Sequence, residues 1–327
     1  MGLSSQYYVA VDDNARRAPQ LANFRFDSTC ANAGAAGYIS TGLLPLAGDI
    51  RGELMIAPAG EITAGYGVNS YWAENGDYLL VALWANEADE DGLVAASERL
   101  YRELLGQLTM RGYPHLVRVW NYFADINGEE AGLERYRQFC LGRFDAFAAS
   151  GIEESQYPSA CALGHAGGDV LVYALASKVA PRHFENPRQA SAYHYPAEYG
   201  PRSPSFARAS LLALPGQTAK LFVSGTASVV GYQTLHPYEL DAQIDVTLEN
   251  LDLLLAHVAT STLGVNGTLP ELTAEVLKVY VRHPADFEVI QRRVEAAYPD
   301  VPAVYVAADI CRADLLLEID GIWNLYP

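Results

Sequence analysis

Four cysteines are all that this chain of 327 residues contains, and Cys30, Cys140, Cys161 and Cys311 are scattered, with no CxxC among them. Neither a disulfide framework nor a zinc site is expected from that pattern, and reduced thiols are the default. Basic residues are also scarce: 22 Lys and Arg stand against 39 Asp and Glu, a formal net charge of -17. Nucleic acid and anionic membrane are thereby set aside as main partners, since both demand a positive footprint. An acidic protein that takes up a small anion must instead gather its arginines locally. No stretch reaches about 18 uninterrupted apolar residues, so no transmembrane helix is expected. The opening MGLSSQYYVAVDDNARR lacks a basic region followed by an apolar one, which argues against a secretory signal and for a cytoplasmic location. Gly2 opens a string superficially like a myristoylation signal, which we read as chance. GxGxxG, P-loop, HExxH and GxSxG fingerprints are all missing, which counts against hydride transfer, phosphoryl transfer and zinc hydrolysis. His165, in LGHAGGD, has no companions at metal-ligand spacing.

What the chain does have is apolar material. Half of its residues are hydrophobic, including 21 Tyr, 10 Phe and 4 Trp, and only 19% are charged, so a sizeable core is expected and disorder is not. The clearest elements lie late. Leu221 to Val223 reads as a buried strand running into the turn-like Ser224-Gly225-Thr226-Ala227-Ser228. Ile244, Leu248, Leu251 and Leu255 recur at helical spacing over 241–260, with Gly264 and Gly267 ending the helix. A strand over 276–281, a helix opened by Pro284, and strands over 303–307 and 315–319 follow. The first half repeats this order loosely: strands over 52–57 and 78–84, a helix over 90–106, a strand over 116–122 and a helix over 132–149. These patterns predict an α+β protein of two halves, residues 1–150 and 151–327, each a mixed sheet with helices on one face. The second half is expected to carry most of the site, and 151–210, rich in Pro, Tyr, His and Arg, to be irregular.

Three features bear on chemistry. RYRQFCLGR places Tyr136 and Arg143 seven residues apart, on one face of a helix; a solvated arginine face is the plainer reading of that motif. PRHFENPRQASAYHYPAEYGPRSPSFARAS holds Arg182, Arg188, Tyr195, Tyr199, Arg202 and Arg208, and is either a surface loop or a ligand wall. Two Arg/Tyr clusters in so acidic a chain suit a small dicarboxylate, because a guanidinium grips a carboxylate through two parallel hydrogen bonds. Glu318 lies within DLLLEID. On a buried strand its carboxyl would keep its proton near neutrality and serve as a general acid; on an edge strand it would face water.

The strings RVWNYFADIN, ERYRQFCLGR, PSACALG, PRHFENPRQASAYHYPAEYGPRSPSFARAS, SGTASVVG and ICRADLLLEID, in that order, resemble the chorismatase family over about two-thirds of the chain. The resemblance implies a fold related to the Rid (YjgF-like) proteins, with a diverged N-terminal copy. It implies cleavage of the enolpyruvyl ether of chorismate to pyruvate and a cyclic C7 acid. That acid is 3-hydroxybenzoate, alone or with the 4-isomer, or trans-3,4-dihydroxycyclohexa-1,5-diene carboxylate. Carried over by motif, Glu318 takes the place of the catalytic glutamate. Tyr136, Arg143 and Arg202 fall in the motifs that hold carboxylates, and Tyr195 and Tyr199 beside the ring. Thr226, Ala227 and Cys311 complete the expected pocket. Cys311 points to the hydroxybenzoate branch and Ala227 to the diol branch. No metal or organic cofactor is implied, and the assembly is a monomer or a homo-trimer. Two rivals stand beside this reading. A Rid-type enamine/imine deaminase would carry an arginine in a Pro-Ala-Arg string, where this chain has Pro302-Ala303-Val304. A non-catalytic protein that binds an aromatic acid would leave Glu318 without a purpose.

Overall fold

A computed structural model describes residues 2–8, 19–32, 38–58, 60–263 and 268–327. The first segment supplies β1 (Ser4–Tyr8), β2 (Gln20–Arg25), β3 (Ile39–Ser40), β4 (Leu44–Pro45) and β5 (Gly52–Ile56). Four of these form a small sheet in the order β1-β5-β2-β3, while β4 joins another sheet.

A meander of β6 (Thr63–Tyr66), β7 (Ser70–Glu74) and β8 (Tyr78–Ala85) then leads to helix α1 (Gly92–Arg111), β9 (His115–Ala124), helix α2 (Arg135–Ala149), β10 (Ser159–His165) and β11 (Val170–Ser177). The strands line up as β6-β7-β8-β11-β9-β10. β8 reads YLLVALWA and is buried along its whole length, as a strand covered on both faces must be. Helix α1 turns Leu93, Ala96, Leu100, Leu104 and Leu108 inward and stops at Gly112, whose φ of 75° suits a residue without a Cβ.

The rest of the chain repeats the scheme with β12 (Arg182–Phe184), β13 (Ala209–Leu212), β14 (Ala219–Thr226), helix α3 (Leu240–Ser261), β15 (Glu271–Val281), helix α4 (Phe287–Ala297), β16 (Ala303–Ala307), β17 (Asp309–Ile310) and β18 (Leu317–Tyr326). Its order, β12-β13-β14-β18-β15-β16, matches the first sheet strand for strand. In both sheets the strand–helix–strand pair (β9/β10, β15/β16) is parallel and its neighbours are antiparallel. Each half lends the other an edge: β17 extends the first sheet at β10, and β4 extends the second at β16.

Three cores follow from this arrangement. One lies between the first sheet and α1/α2, another between the second sheet and α3/α4. The third joins the inner faces of both sheets to the N-terminal strands. The layers run helix, sheet, sheet, helix, the expected α+β class. No helix among the described residues is long and apolar enough to cross a membrane.

Two expectations are corrected. Residues 151–177 are not an irregular opening of the second half: SACALGH and VLVYALAS are almost wholly buried strands of the first sheet. By sheet membership the halves therefore divide after Ser177, not between 150 and 151. Small and branched apolar runs do not alternate when both faces are covered, so the strand signal there is weak. The long helix ends at Ser261; Gly264 and Gly267 lie outside the described residues.

Candidate active site

β18 alternates its side chains. Leu317 and Ile319 enter the core under the helices, so Glu318 and Asp320 share the opposite face, between the sheets. Glu318 is 4% exposed and opens onto a cavity of about 590 Å³. Space for its carboxyl comes from β14. That strand bulges against β18 between Val223 and Thr226, and a Cβ on Gly225 would stand 1.6 Å from Glu318 Oε1. Burial pushes the Glu318 carboxyl up to about 8, and the charge of Asp320 adds to the shift; Arg118 and Arg208 pull the other way. A carboxylic acid with that value carries its proton at neutral pH.

Four arginines line the same cavity: Arg137 is paired with Glu134 at 3.0 Å, and the other three are Arg143, Arg208 and Arg312. Arg143, 2% exposed, comes from α2 and lies over the Phe139 ring; its Nη2 makes a long contact of 3.9 Å to Cys140 Sγ and its Nε has no partner. Arg208 donates through Nη2 to the Ala190 carbonyl at 3.1 Å and to the Tyr195 hydroxyl at 2.7 Å, and its Nε is again unpartnered. Arg312 stacks on Tyr199 at 4.5 Å and Tyr195 at 5.3 Å, and reaches Thr234 Oγ1 at 3.3 Å. Among the described residues none of the three has a carboxylate within 4 Å. Two of these guanidinium groups are buried, and burying a cation without its counterion is costly. The arrangement suits a ligand that brings its own anionic groups.

Tyr136, Arg143, Tyr195, Tyr199, Ala227, Cys311 and Glu318 all line this cavity, as placed from their motifs. Two other candidates do not. Arg202 is exposed, packs over Phe144 at 4.4 Å, and borders a separate hollow of about 200 Å³. Thr226 is on β14 and donates its hydroxyl to the Ser224 carbonyl at 3.0 Å, outside the cavity lining. The roles assigned to these two are therefore withdrawn, and Arg208 and Arg312 stand in the cavity instead. Both lay inside the motifs already singled out. What separates Arg208 from Arg202 is the direction each faces in a loop without regular periodicity, which spacing does not encode. Cys161 and Cys311 also line the wall, and burial drives both thiols upward, so neither is a ready thiolate. Ala303 opens β16 and Val304 is buried in the inter-sheet core, so that strand offers the cavity no guanidinium.

Known proteins resemble this chain in sequence and in fold. Residues 55–176 match the family model described as "Chorismatase FkbO/Hyg5-like, N-terminal". A 3-hydroxybenzoate synthase of Streptomyces hygroscopicus is 38% identical over 257 residues, 77% of this chain and 75% of the relative. A chorismatase of Streptomyces rapamycinicus is 36% identical over 255 residues, covering 77% and 76%. A crystal structure of a chorismatase superposes over 98% of both chains with a TM-score of 0.86 at 29% identity.

Proposed function

This chain belongs to the chorismatase family, and we propose that it cleaves chorismate to pyruvate and 3-hydroxybenzoate with Glu318 as the proton donor. One observation carries the reading: a buried carboxyl, pushed up to about 8, faces a cavity in which Arg143, Arg208 and Arg312 have no carboxylate within 4 Å among the described residues. Chorismate brings two carboxylates. Arg143, Arg208 and Arg312 hold them by charge-assisted hydrogen bonds and so fix the enol ether against the acid. Glu318 donates its proton to the terminal methylene carbon, and positive charge develops on the ether carbon as an oxocarbenium-like centre. For 3-hydroxybenzoate the ring hydroxyl displaces the enolpyruvyl group, pyruvate leaves, and the ring aromatises with loss of a proton. Chorismate then equals the sum of its two products and no water is consumed.

Cys311 in the wall favours the hydroxybenzoate branch, as does the relative named for that product. Ala227, in the same wall, favours the second branch. There water adds to the oxocarbenium centre and the hemiketal collapses to pyruvate and the dihydrodiol. Some 4-hydroxybenzoate accompanies the main product if the hydroxyl at C4 is retained. The deaminase reading lacks its arginine at Val304. A passive binding protein has no use for an acid whose burial costs stability. Both halves of one chain wall the cavity, so a single copy suffices for catalysis.

The test is direct. The protein is incubated with chorismate, pyruvate is quantified, and the ring product is identified by chromatography. Pyruvate with 3-hydroxybenzoate is expected, and Glu318→Gln should bind ligand yet release none. Unchanged turnover in that variant removes the acid role; tight binding of 3-hydroxybenzoate without chorismate consumption removes the catalytic one.

A further inference from the structure

Asp320 shares its strand face with Glu318 but lies behind it, closed off from the cavity. Arg118 Nη2, from β9 in the other half, donates to Asp320 Oδ2 at 2.6 Å, and the Tyr280 hydroxyl donates to the same oxygen at 3.0 Å. Asp320 is 4% exposed and Arg118 1%. We propose that Asp320, by balancing the buried charge of Arg118, is the positioning residue that keeps Glu318 in its neutral, proton-donating form, an inference that rests on the acid role given above.

The argument begins from the charges in the seam between the sheets. Besides Arg118 and Asp320, the seam holds Lys278 and Glu53, joined at 2.6 Å and likewise buried. Two cations face two anions, each already paired. Among the described residues, a third carboxyl in that seam finds no unpaired cation on the side away from the cavity. Asp320 is therefore the counterion that spares Glu318: by occupying Arg118 it prevents the guanidinium from drawing a proton off the acid and forming an ion pair with it. Without Asp320, Arg118 would be a buried cation next to an ionisable carboxyl, and the pair Arg118–Glu318 would form at the expense of catalysis.

The other groups around the two carboxyls do not take over this task. Glu318 is faced by Arg118 from β9, Cys161 from β10, Tyr280 from β15, Arg208 before β13, and Cys311 with Arg312 after β17. Asp320 is faced by Arg118, Tyr280, Tyr122, Cys161, Lys278 and, from β1, Tyr7. The thiols and phenols are neutral at pH 7, each pushed upward by burial. On the cavity side Arg208 and Arg312 are the cations that the substrate's carboxylates neutralise. That leaves the Arg118–Asp320 balance as the fixed part of the field on Glu318.

The experiment is the pH profile of kcat/KM for pyruvate release, which reports groups of the free enzyme. Four proteins are compared: the native protein, Glu318→Gln, Asp320→Asn, and Arg118→Gln with Asp320→Asn. Native activity is expected to fall on an alkaline limb near pH 8. Asp320→Asn should move that limb down by about one pH unit or more, because an uncompensated cation now favours the carboxylate. The double variant, with both charges gone, should bring the limb back. A merely structural role would lower the rate at every pH and leave the limb in place. A folded Asp320→Asn protein with the native limb, beside an inactive Glu318→Gln protein, overturns the pairing inference alone. An active Glu318→Gln protein overturns the acid reading beneath it. If Asp320→Asn does not fold, infrared spectra of native protein labelled with 13C-Glu or 13C-Asp decide. The protonated-carboxyl band that disappears through pH 8 must shift with the Glu label; a shift with the Asp label places the proton on Asp320 and overturns the proposal.

Discussion

Glu318→Gln should make the protein more stable, and by an amount that grows with pH. In the folded state the carboxyl is raised from 4.5 to about 8, chiefly by burial. Between those values the native state holds a proton that the unfolded chain has lost, so stability declines as pH rises through the window and levels off above it. At about 1.4 kcal/mol per unit, the carboxyl costs roughly 3 kcal/mol at pH 7 and on the order of 5 kcal/mol above pH 8. Glutamine cannot ionise and escapes that cost. Exchanging a hydroxyl for an amide adds an offset of its own, but one that does not vary with pH. All other titrating groups are common to both proteins and cancel in the comparison. The measurement is the unfolding midpoint of both proteins, in urea or on heating, at pH 5, 7 and 8.5. The gap should be smallest at pH 5 and widen by several degrees or more toward pH 8.5, while pyruvate release is absent throughout. A gap that stays constant, or narrows as pH rises, refutes the raised acidity constant and with it the chemistry assigned to Glu318.

Gly225→Ala sets a methyl group where the Glu318 carboxyl now stands, 1.6 Å from Oε1. The acid must swing away, and kcat should fall roughly a hundredfold in a protein that still unfolds cooperatively, as steady-state pyruvate assays and thermal melts would show. Arg143→Met removes a buried cation that has no carboxylate within 4 Å among the described residues. KM for chorismate should rise at least about tenfold, whereas the melting midpoint should hold or increase, since a poorly compensated charge is replaced by an apolar chain. Arg202→Ala, exposed and outside the cavity, should leave kcat/KM within about twofold; a large loss would restore the ligand role withdrawn from it.

The readable parts of this fold are those whose periodicity is simple. Helix α3 declares itself through Ile244, Leu248, Leu251 and Leu255, and β15 and β16 through alternation or a short apolar run, whereas β12 and most of the turn into β13 fall in the stretch read as irregular. β10 and β11 are not legible either. Their residues are buried on both faces, carry no alternation, and sit beside a Pro- and Tyr-rich loop that draws attention to itself. Long-range exchange is invisible too: nothing local in Leu44-Pro45 or Asp309-Ile310 says that each will extend the other half's sheet. Within the site, motif order located Glu318 and the helix that carries Tyr136 and Arg143, because a strand and a helix fix side-chain direction by their own geometry. In the irregular stretch around 200–208 no such rule applies. Arg202 turned outward over Phe144 and Arg208 inward onto Tyr195, a difference decided by tertiary packing.

The duplicated architecture raises the question of why one copy turns a buried carboxyl onto a cavity and the other does not. Tyr122 of β9 and Tyr280 of β15 occupy matching places, and their hydroxyls meet at 3.0 Å across the seam. Opposite Tyr280 on the neighbouring strand is Glu318; opposite Tyr122 is Leu171. Around Glu318, β14 breaks register in a bulge and gives up its side chain at Gly225, leaving room for a carboxyl and a cavity beyond it. Around Leu171, β8 keeps unbroken register and sets Trp84 directly across from it, within the inter-sheet core. A tryptophan and a leucine fill in one copy what a glycine and a bulge leave open in the other. The first copy then gives its inner face to packing and its β9 to Arg118, the cation that Asp320 needs. The second copy holds Glu318 and Asp320 on one strand face, and the buried charge of Asp320 is balanced by that partner. The two halves are thus unequal: one closes its inner face into a packed wall, and that wall supplies the cation that balances Asp320 beside the other half's Glu318.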